Sequence, residues 1–133
     1  MNASESLYAR LAGNAGVAAL VGARIYPVSI PQVPTMPCIS YSLRSEPTAH
    51  CMTETASTIK RANYTIQCWD VDWDGAIELA EAVEAAIDAD YMNNWGGAGG
   101  VRAAVTLTNQ LDLGDDVTQW KRRILEFEVW YTP

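Results

Sequence analysis

The chain has 133 residues, the size of one domain, and leaves no room for a second core. Its hydrophobic fraction of 49% excludes a disordered chain, and no apolar run is long enough to span a bilayer. A net charge of −7 argues against a main task of binding a phosphate backbone. The N-terminal residues lack the basic cluster and apolar stretch of a secretory signal, so we expect synthesis in a cytoplasm and no membrane association.

The N-terminal segment predicts two short helices. Ser4 is placed to cap the first helix, which Gly13 ends. Asn14 is placed to cap a second helix over residues 15–21, and Gly22 ends that helix.

A proline-rich loop and two strands are predicted next. Residues 24–26 form a short extended piece, and four prolines make residues 27–37 an irregular loop because proline fits neither a helix interior nor a central strand. Apolar and polar residues alternate over 39–43 and again over 60–69, the pattern of half-buried strands. The connection at 45–58 is polar and long, which favours a functional loop.

A long amphipathic helix over 76–87 and two further strands complete the chain. The helix has apolar residues at helical spacing and acids on its opposite face. A glycine turn at 96–100, a strand over 101–107, a turn at 112–116 and a closing strand over 124–131 follow. The predicted order is α-α-β-β-α-β-β: an α+β fold with a four-stranded, largely antiparallel sheet, and with the long helix and the short N-terminal helices packed on one face.

One segment matches a calcium-binding loop in its residue types. Asp70–Glu81 has oxygen ligands at positions 1, 3 and 5, glycine at position 6 and glutamate at position 12, as in an EF-hand. The alternating pattern over 60–69 supplies no entering helix, however. We therefore interpret the segment as a strand-to-helix turn in which Asp72 or Asp74 caps the helix. A monomeric calcium-binding module is kept as an alternative.

The other chemically capable residues do not assemble into a site. Cys38, His50, Cys51 and Cys68 lack the paired spacings of zinc ligands, and reduced, buried thiols are expected. No nucleophile, base and orienting group can be nominated together. The sequence thus predicts no catalytic residue, metal or cofactor, and a protein that is not an enzyme.

Charged residues in the polar loop and near the closing strand are candidates for contacts with another subunit or with a tail tube. The basic run at 121–123 could pair with the acidic 70–90 segment of a neighbouring copy. The candidate contact residues are Glu46, His50, Glu54, Lys121, Arg122, Arg123, Glu126 and Glu128.

From about residue 5 to residue 131, the chain contains a series of segments whose order and spacing together are specific to a family. They are Leu7–Leu11, Ala19–Pro27, Met36–Tyr41, the strand at 61–69, the helix at Ala76–Ile87 and the closing Arg122–Tyr131. Together they resemble the small tail-completion family of long-tailed bacteriophages, which is related to tail terminators of the lambda type.

The resemblance implies a single tail-completion domain over 1–133 that acts as a structural virion protein. Members form a ring, usually a hexamer, that caps the head-proximal end of the tail tube, stops its polymerisation and joins tail to head. The implied partners are copies of the chain, the tail tube protein and a head-side connector or stopper protein. DNA passes through the ring without specific binding, and the acidic helix or Glu126 and Glu128 are candidates to face that channel.

The same resemblance implies a location in the tail or neck of the virion, after assembly in the cytoplasm of the bacterial host. It supplies no catalytic residue and no cofactor. Another ring-forming neck component, such as a head-closure protein, is the alternative within the same class.

Overall fold

The computed structural model describes residues 2–47, 59–114 and 117–132. The elements are α1 (Ala3–Ala12), α2 (Ala15–Val21), β1 (Ile25–Pro27), β2 (Cys38–Ser45), β3 (Lys60–Asp70), α3 (Trp73–Ile87), β4 (Ala89–Trp95), β5 (Val101–Gly114) and β6 (Lys121–Thr132). Within the described ranges, no helix is long and apolar enough to cross a membrane.

The six strands of the described ranges form one sheet with the order β1-β2-β3-β6-β5-β4. β1 runs parallel to β2 and the other neighbours are antiparallel, so the predicted mixed α+β class is confirmed. The predicted count of four strands is wrong. β1 has only three residues, too few for a periodic pattern, and β4 contains Asp and Asn residues that are depleted in strands.

The N-terminal helices begin at asparagines. The prediction that Ser4 caps α1 is wrong, because Asn2 is the cap: its side chain accepts from the Glu5 amide at 2.8 Å, and the Glu5 carboxylate accepts from the Asn2 amide at 3.1 Å. This reciprocal pair is a capping box. Asn14 caps α2 as predicted, by accepting from the Val17 amide at 3.1 Å, and both helices end at the predicted glycines.

One face of the sheet, which we call the covered face, packs against the helices. Its buried residues on the two central strands are Ala62, Tyr64, Ile66, Cys68, Leu125, Phe127, Val129 and Tyr131. The buried stripe of α3 packs on them and consists of Ala76, Leu79, Ala80, Val83, Ala86 and Ile87. Apolar residues of all three helices belong to the same core cluster, so the covered face is the main hydrophobic interior.

The β5–β6 hairpin extends further than the pattern indicates. β5 continues to Gly114, so the turn predicted at 112–116 is wrong for its first three residues, while 115 and 116 lie outside the described residues. A register shift between Leu107 and Asn109 changes which side chains face the helices. As a result, Asp112 lies opposite Arg123 on the covered side.

Candidate assembly surface

The sheet face turned away from the helices, which we call the open face, has no secondary-structure element packed on it within the described residues. It carries mainly aromatic, amide, hydroxyl and charged side chains, with a few aliphatic residues such as Ile124 and Leu113. On the three long strands its residues are Arg61, Asn63, Thr65, Gln67, Trp69, Arg122, Ile124, Glu126, Glu128, Trp130, Thr132, Arg102, Ala104, Thr106, Asn109, Leu111 and Leu113. Strand alternation places all of them on this side.

At the end of the open face next to the β5–β6 turn, the side chains of an aromatic cluster form hydrogen bonds and ring contacts with neighbouring residues of the same subunit. The Arg122 guanidinium carbon lies 4.8 Å from the centre of the Trp69 ring, and Trp120 meets that ring edge-on at 6.4 Å. Arg122 also donates to the Gln67 amide oxygen at 2.9 Å, and the Trp69 indole N–H donates to the Ser40 hydroxyl at 3.2 Å. The Arg122 guanidinium and the Trp69 indole N–H therefore already have partners within one subunit.

An acidic band crosses the middle of the open face. Glu126 and Glu128 are half-buried there, and the Glu126 carboxylate accepts from the Asn109 side chain at 3.2 Å. Thr65, opposite Glu126 in register, has a buried hydroxyl with no hydrogen-bond partner among the described residues. Because a buried hydroxyl without a partner is costly, this position favours an additional polar group, from water or a partner, above the sheet.

At the other end lies an exposed group that we call the Trp130 patch: Ile59, Arg61, Arg102, Ala104 and Trp130. Trp130 is 46% exposed, and the Arg61 guanidinium carbon lies 5.5 Å from its ring centre. A groove of about 280 Å³ is lined by four of the five patch residues, all except Arg61. Tryptophan and arginine are among the residue types most enriched among the energetically dominant contacts of protein interfaces.

The predicted basic run at 121–123 does not form one cluster, because strand alternation divides it. Arg122 lies on the open face, whereas Arg123 lies on the covered side and forms a two-bond ion pair with Asp112, at 2.7 and 3.1 Å. This hydrogen-bonded pairing raises the pKa of Arg123 and lowers the pKa of the Asp112 carboxyl. Lys121 donates to the Gln119 carbonyl at 2.8 Å.

Glu46 is tied to the end of the covered face. The Tyr131 hydroxyl donates to its carboxylate, and burial followed by this hydrogen bond raises the pKa of Tyr131. The other two loop candidates, His50 and Glu54, lie outside the described residues, as does Cys51.

The calcium-like segment is a strand-to-helix turn. β3 ends at Asp70 and α3 begins at Trp73, so residues 73–81 are helical and do not form a twelve-residue loop. Asp72 occupies the predicted N-cap position, although its side chain makes no capping hydrogen bond. In the part of the chain that the structure describes, no three His, Cys, Asp or Glu side chains are grouped to hold a metal ion.

The two described cysteines, Cys38 and Cys68, are free and buried. Burial raises the pKa of the Cys38 thiol to about 11, and it also raises the pKa of Cys68. Both thiols are therefore protonated at neutral pH, a form that is a poor nucleophile and a poor metal ligand.

The sequence matches a known protein family over nearly its whole length: residues 5–132 fit the family described as "Tail completion protein gp17". The chain belongs to this family. It is therefore a structural protein of a bacteriophage tail, located in the virion, and the resemblance given by its sequence segments is confirmed.

The fold is also similar to that of a chain in the solved structure described as "Virion of native gene transfer agent (GTA) particle". The TM-score is 0.67 and the identity 22%, over 96% of this chain and 92% of that one. At that identity the similarity establishes a shared fold. No curated protein sequence matches the chain.

The sequence prediction of contact residues omitted the most exposed part of the open face. Arg61 and Trp130 each occupy the polar side of an alternating strand, which was a usable signal. Their proximity to Arg102 depends on the pairing of β3, β6 and β5, and one strand alone does not reveal that pairing.

Proposed function

We propose that this protein assembles into a ring, with six subunits as the expected number, that caps the head-proximal end of the tail tube. The ring stops polymerisation of the tube and joins the finished tail to the head. The observation that carries the proposal is the family match over residues 5–132, in a chain whose sheet leaves one face uncovered within the described ranges.

The sheet edges support assembly with other chains. β1 pairs with β2 only at residues 39–41, so residues 42–45 have no strand beside them on that edge among the described residues. On the opposite edge, β4 pairs with β5 only between residues 101 and 105. Residues 106–114 of β5 therefore have no strand beside them on that edge among the described residues. Unpaired edges are templates for strand pairing, so both edges are proposed contact sites for the proteins on either side of the ring.

The proposed partners are the tail tube protein on one side of the ring and a head-side connector or stopper protein on the other. The irregular loop at 28–37 and the charged residues Glu46, Lys121, Arg122, Glu126 and Glu128 are proposed contact points. The net charge of −7 suits a ring through which DNA passes, because an acidic surface repels the phosphate backbone.

The proposal is tested by adding the purified protein to isolated tail tubes and imaging them by negative-stain electron microscopy. We expect a ring at one end of each tube, and capped tubes should not elongate when free tube protein is added, whereas untreated tubes should. A protein that stays monomeric at micromolar concentration and leaves both tube ends bare would contradict the proposal. Binding to the head connector but not to bare tubes would identify a head-closure protein instead.

A further inference from the structure

We infer that, within the ring, the Trp130 patch of one subunit docks on the solvent-facing surface of α3 of a second copy. This inference rests on the proposed ring and assigns the surfaces that hold neighbouring subunits together.

The solvent-facing surface of α3 is acidic, with a small residue at its centre. No Lys or Arg occurs between Trp73 and Ile87, and the exposed carboxylates on or next to the helix are Asp72, Asp74, Glu78, Glu81 and Asp88. Ala85 is exposed between Glu81, one turn earlier, and Asp88, one turn later. An alanine flanked by carboxylates offers a flat site for an indole ring with anions on either side.

The Trp130 patch has the complementary arrangement. Arg61 lies opposite Trp130 on β3, and Ala104 lies opposite it on β5, with Arg102 two residues before Ala104. The two arginines therefore flank the tryptophan on its two sides. Each side of the indole has one cation, as each side of Ala85 has one anion.

The spacings of the two sets of charges also agree. Arg61 and Arg102 are two strands apart across the sheet and two residues apart along it, which puts their Cα atoms about 12 Å apart. Glu81 lies on α3 and Asp88, seven residues later, is the C-cap of that helix, so their Cα atoms are about 10.5 Å apart. The long arginine side chains accommodate the difference.

The charges on both surfaces lack ion-pair partners among the described residues of their own subunit. The ion pair found within those ranges is Arg123 with Asp112, so neither the two arginines of the patch nor the carboxylates of α3 form a salt bridge with a described residue. Glu81 has only a longer-range attraction to Arg123 of its own subunit, which contributes to the raised pKa of that arginine. Because Arg122 and Lys121 already donate to groups of their own subunit, the contact with a neighbour is assigned to the Trp130 patch and not to the 121–123 run.

The position of the two surfaces favours a ring. The Trp130 patch lies on the open face, and α3 packs on the covered face, so they lie on opposite sides of the sheet. A contact between two different surfaces of identical chains is heterologous, and repeated heterologous contacts close into a ring when the rotation between copies allows it. A self-complementary dimer would need one surface to meet itself.

Reciprocal charge reversal tests the contact. Arg102→Glu leaves α3 intact but reverses a charge of the patch, and Glu81→Arg does the opposite. Because like charges would then meet in the interface, each variant alone should need more than about tenfold the wild-type concentration to cap half of the tail tubes. An equal mixture of the two variants should restore capping. Alternating subunits then place the introduced glutamate beside the introduced arginine at one contact and the two original residues together at the next.

The double variant Arg102→Glu/Glu81→Arg should also restore capping alone. Lys60→Glu is the matched control: it makes the same charge change at the same end of the sheet, on the side opposite to Arg61, and should cap like the wild type. Melting temperatures of all variants verify that they fold. Normal capping by Arg102→Glu, or loss of capping that neither the mixture nor the double variant reverses, would overturn the docking proposal. Absence of rings with the wild-type protein would instead refute the proposed function.

Discussion

The two faces of the sheet have the same strands but different residue types. On the covered face, Leu125, Phe127 and Val129 are at most 1% exposed and contact helices of the same chain. On the open face, the alternate positions of the same strand include Arg122, Glu126, Glu128 and Trp130. One strand therefore supplies both the core of the subunit and the surface proposed for its neighbours.

Because of this difference, the residues that determine the stability of the subunit are distinct from those proposed to determine its assembly. Removing a covered-face side chain opens a cavity in the core, whereas removing an open-face side chain leaves the core intact and changes what a partner would contact. Substitutions on the two faces should thus fall into two classes: those on the covered face lower stability, and those on the open face lower assembly.

Phe127→Ala should destabilise the protein most. The side chain is 1% exposed on the central strand, so truncation should lower the free energy of unfolding by about 3–5 kcal/mol. Urea unfolding followed by circular dichroism measures this. A loss below about 1 kcal/mol would mean that the covered face is not the closed core described above.

Gly96→Ala should weaken the contact between the β4–β5 turn and α1. Gly96 has φ +92°, and an added Cβ would lie 2.3 Å from the Ser6 carbonyl oxygen, so backbone strain and overlap act together. We expect a loss of about 2–4 kcal/mol. Gly97→Ala is the matched control: its φ is +108°, and no atom of the described residues lies within 4 Å of the added Cβ, so it should cost less. Equal losses would contradict a close approach at Gly96.

Trp130→Ala, unlike Phe127→Ala, should leave the stability of the protein nearly unchanged but weaken its assembly. Because Trp130 is 46% exposed, its removal should change the free energy of unfolding by less than about 1 kcal/mol. Capping of tail tubes should nevertheless require more than about tenfold more protein, as expected for a dominant interface residue. A stable variant that caps tubes normally would exclude the Trp130 patch from the interface.

Asp112→Asn should have the smallest effect. Arg123 lowers the pKa of the folded Asp112 carboxyl below its ordinary value of 3.8, so the pairing stabilises the protein above that value and is lost as the pH falls through the lowered pKa. The pair is on the surface, so the variant should lose less than about 1 kcal/mol at pH 7. The difference from wild type should shrink below about pH 4 in unfolding measurements; a difference that grew on acidification would contradict this origin.

The covered face was predictable from the sequence because burial imposes a period on it. The stripe over 76–87 predicted α3, and the alternation at 60–69 and 124–131 predicted β3 and β6, because each pattern keeps apolar residues on one side. The family resemblance was likewise available from segment order. Ser4 was wrongly placed as a cap because Asn2 precedes it with a complete capping box.

The open face and the sheet edges were less predictable. β4 contains Asp and Asn, and its pairing with β5 shifts register twice, so its sequence has no clear strand period. β5 extends through the predicted turn to Gly114, and the register shift after Leu107 places Asp112 opposite Arg123, which local sequence does not indicate. The Trp130 patch required the pairing of three strands that are distant in sequence.

The central claim, that the open face is an assembly surface, is tested most directly by cryo-electron microscopy of tail tubes capped with the wild-type protein. The account predicts a closed ring in which the indole of Trp130 in each subunit is buried against the next subunit. A ring in which the open face of every subunit is exposed to solvent would contradict it.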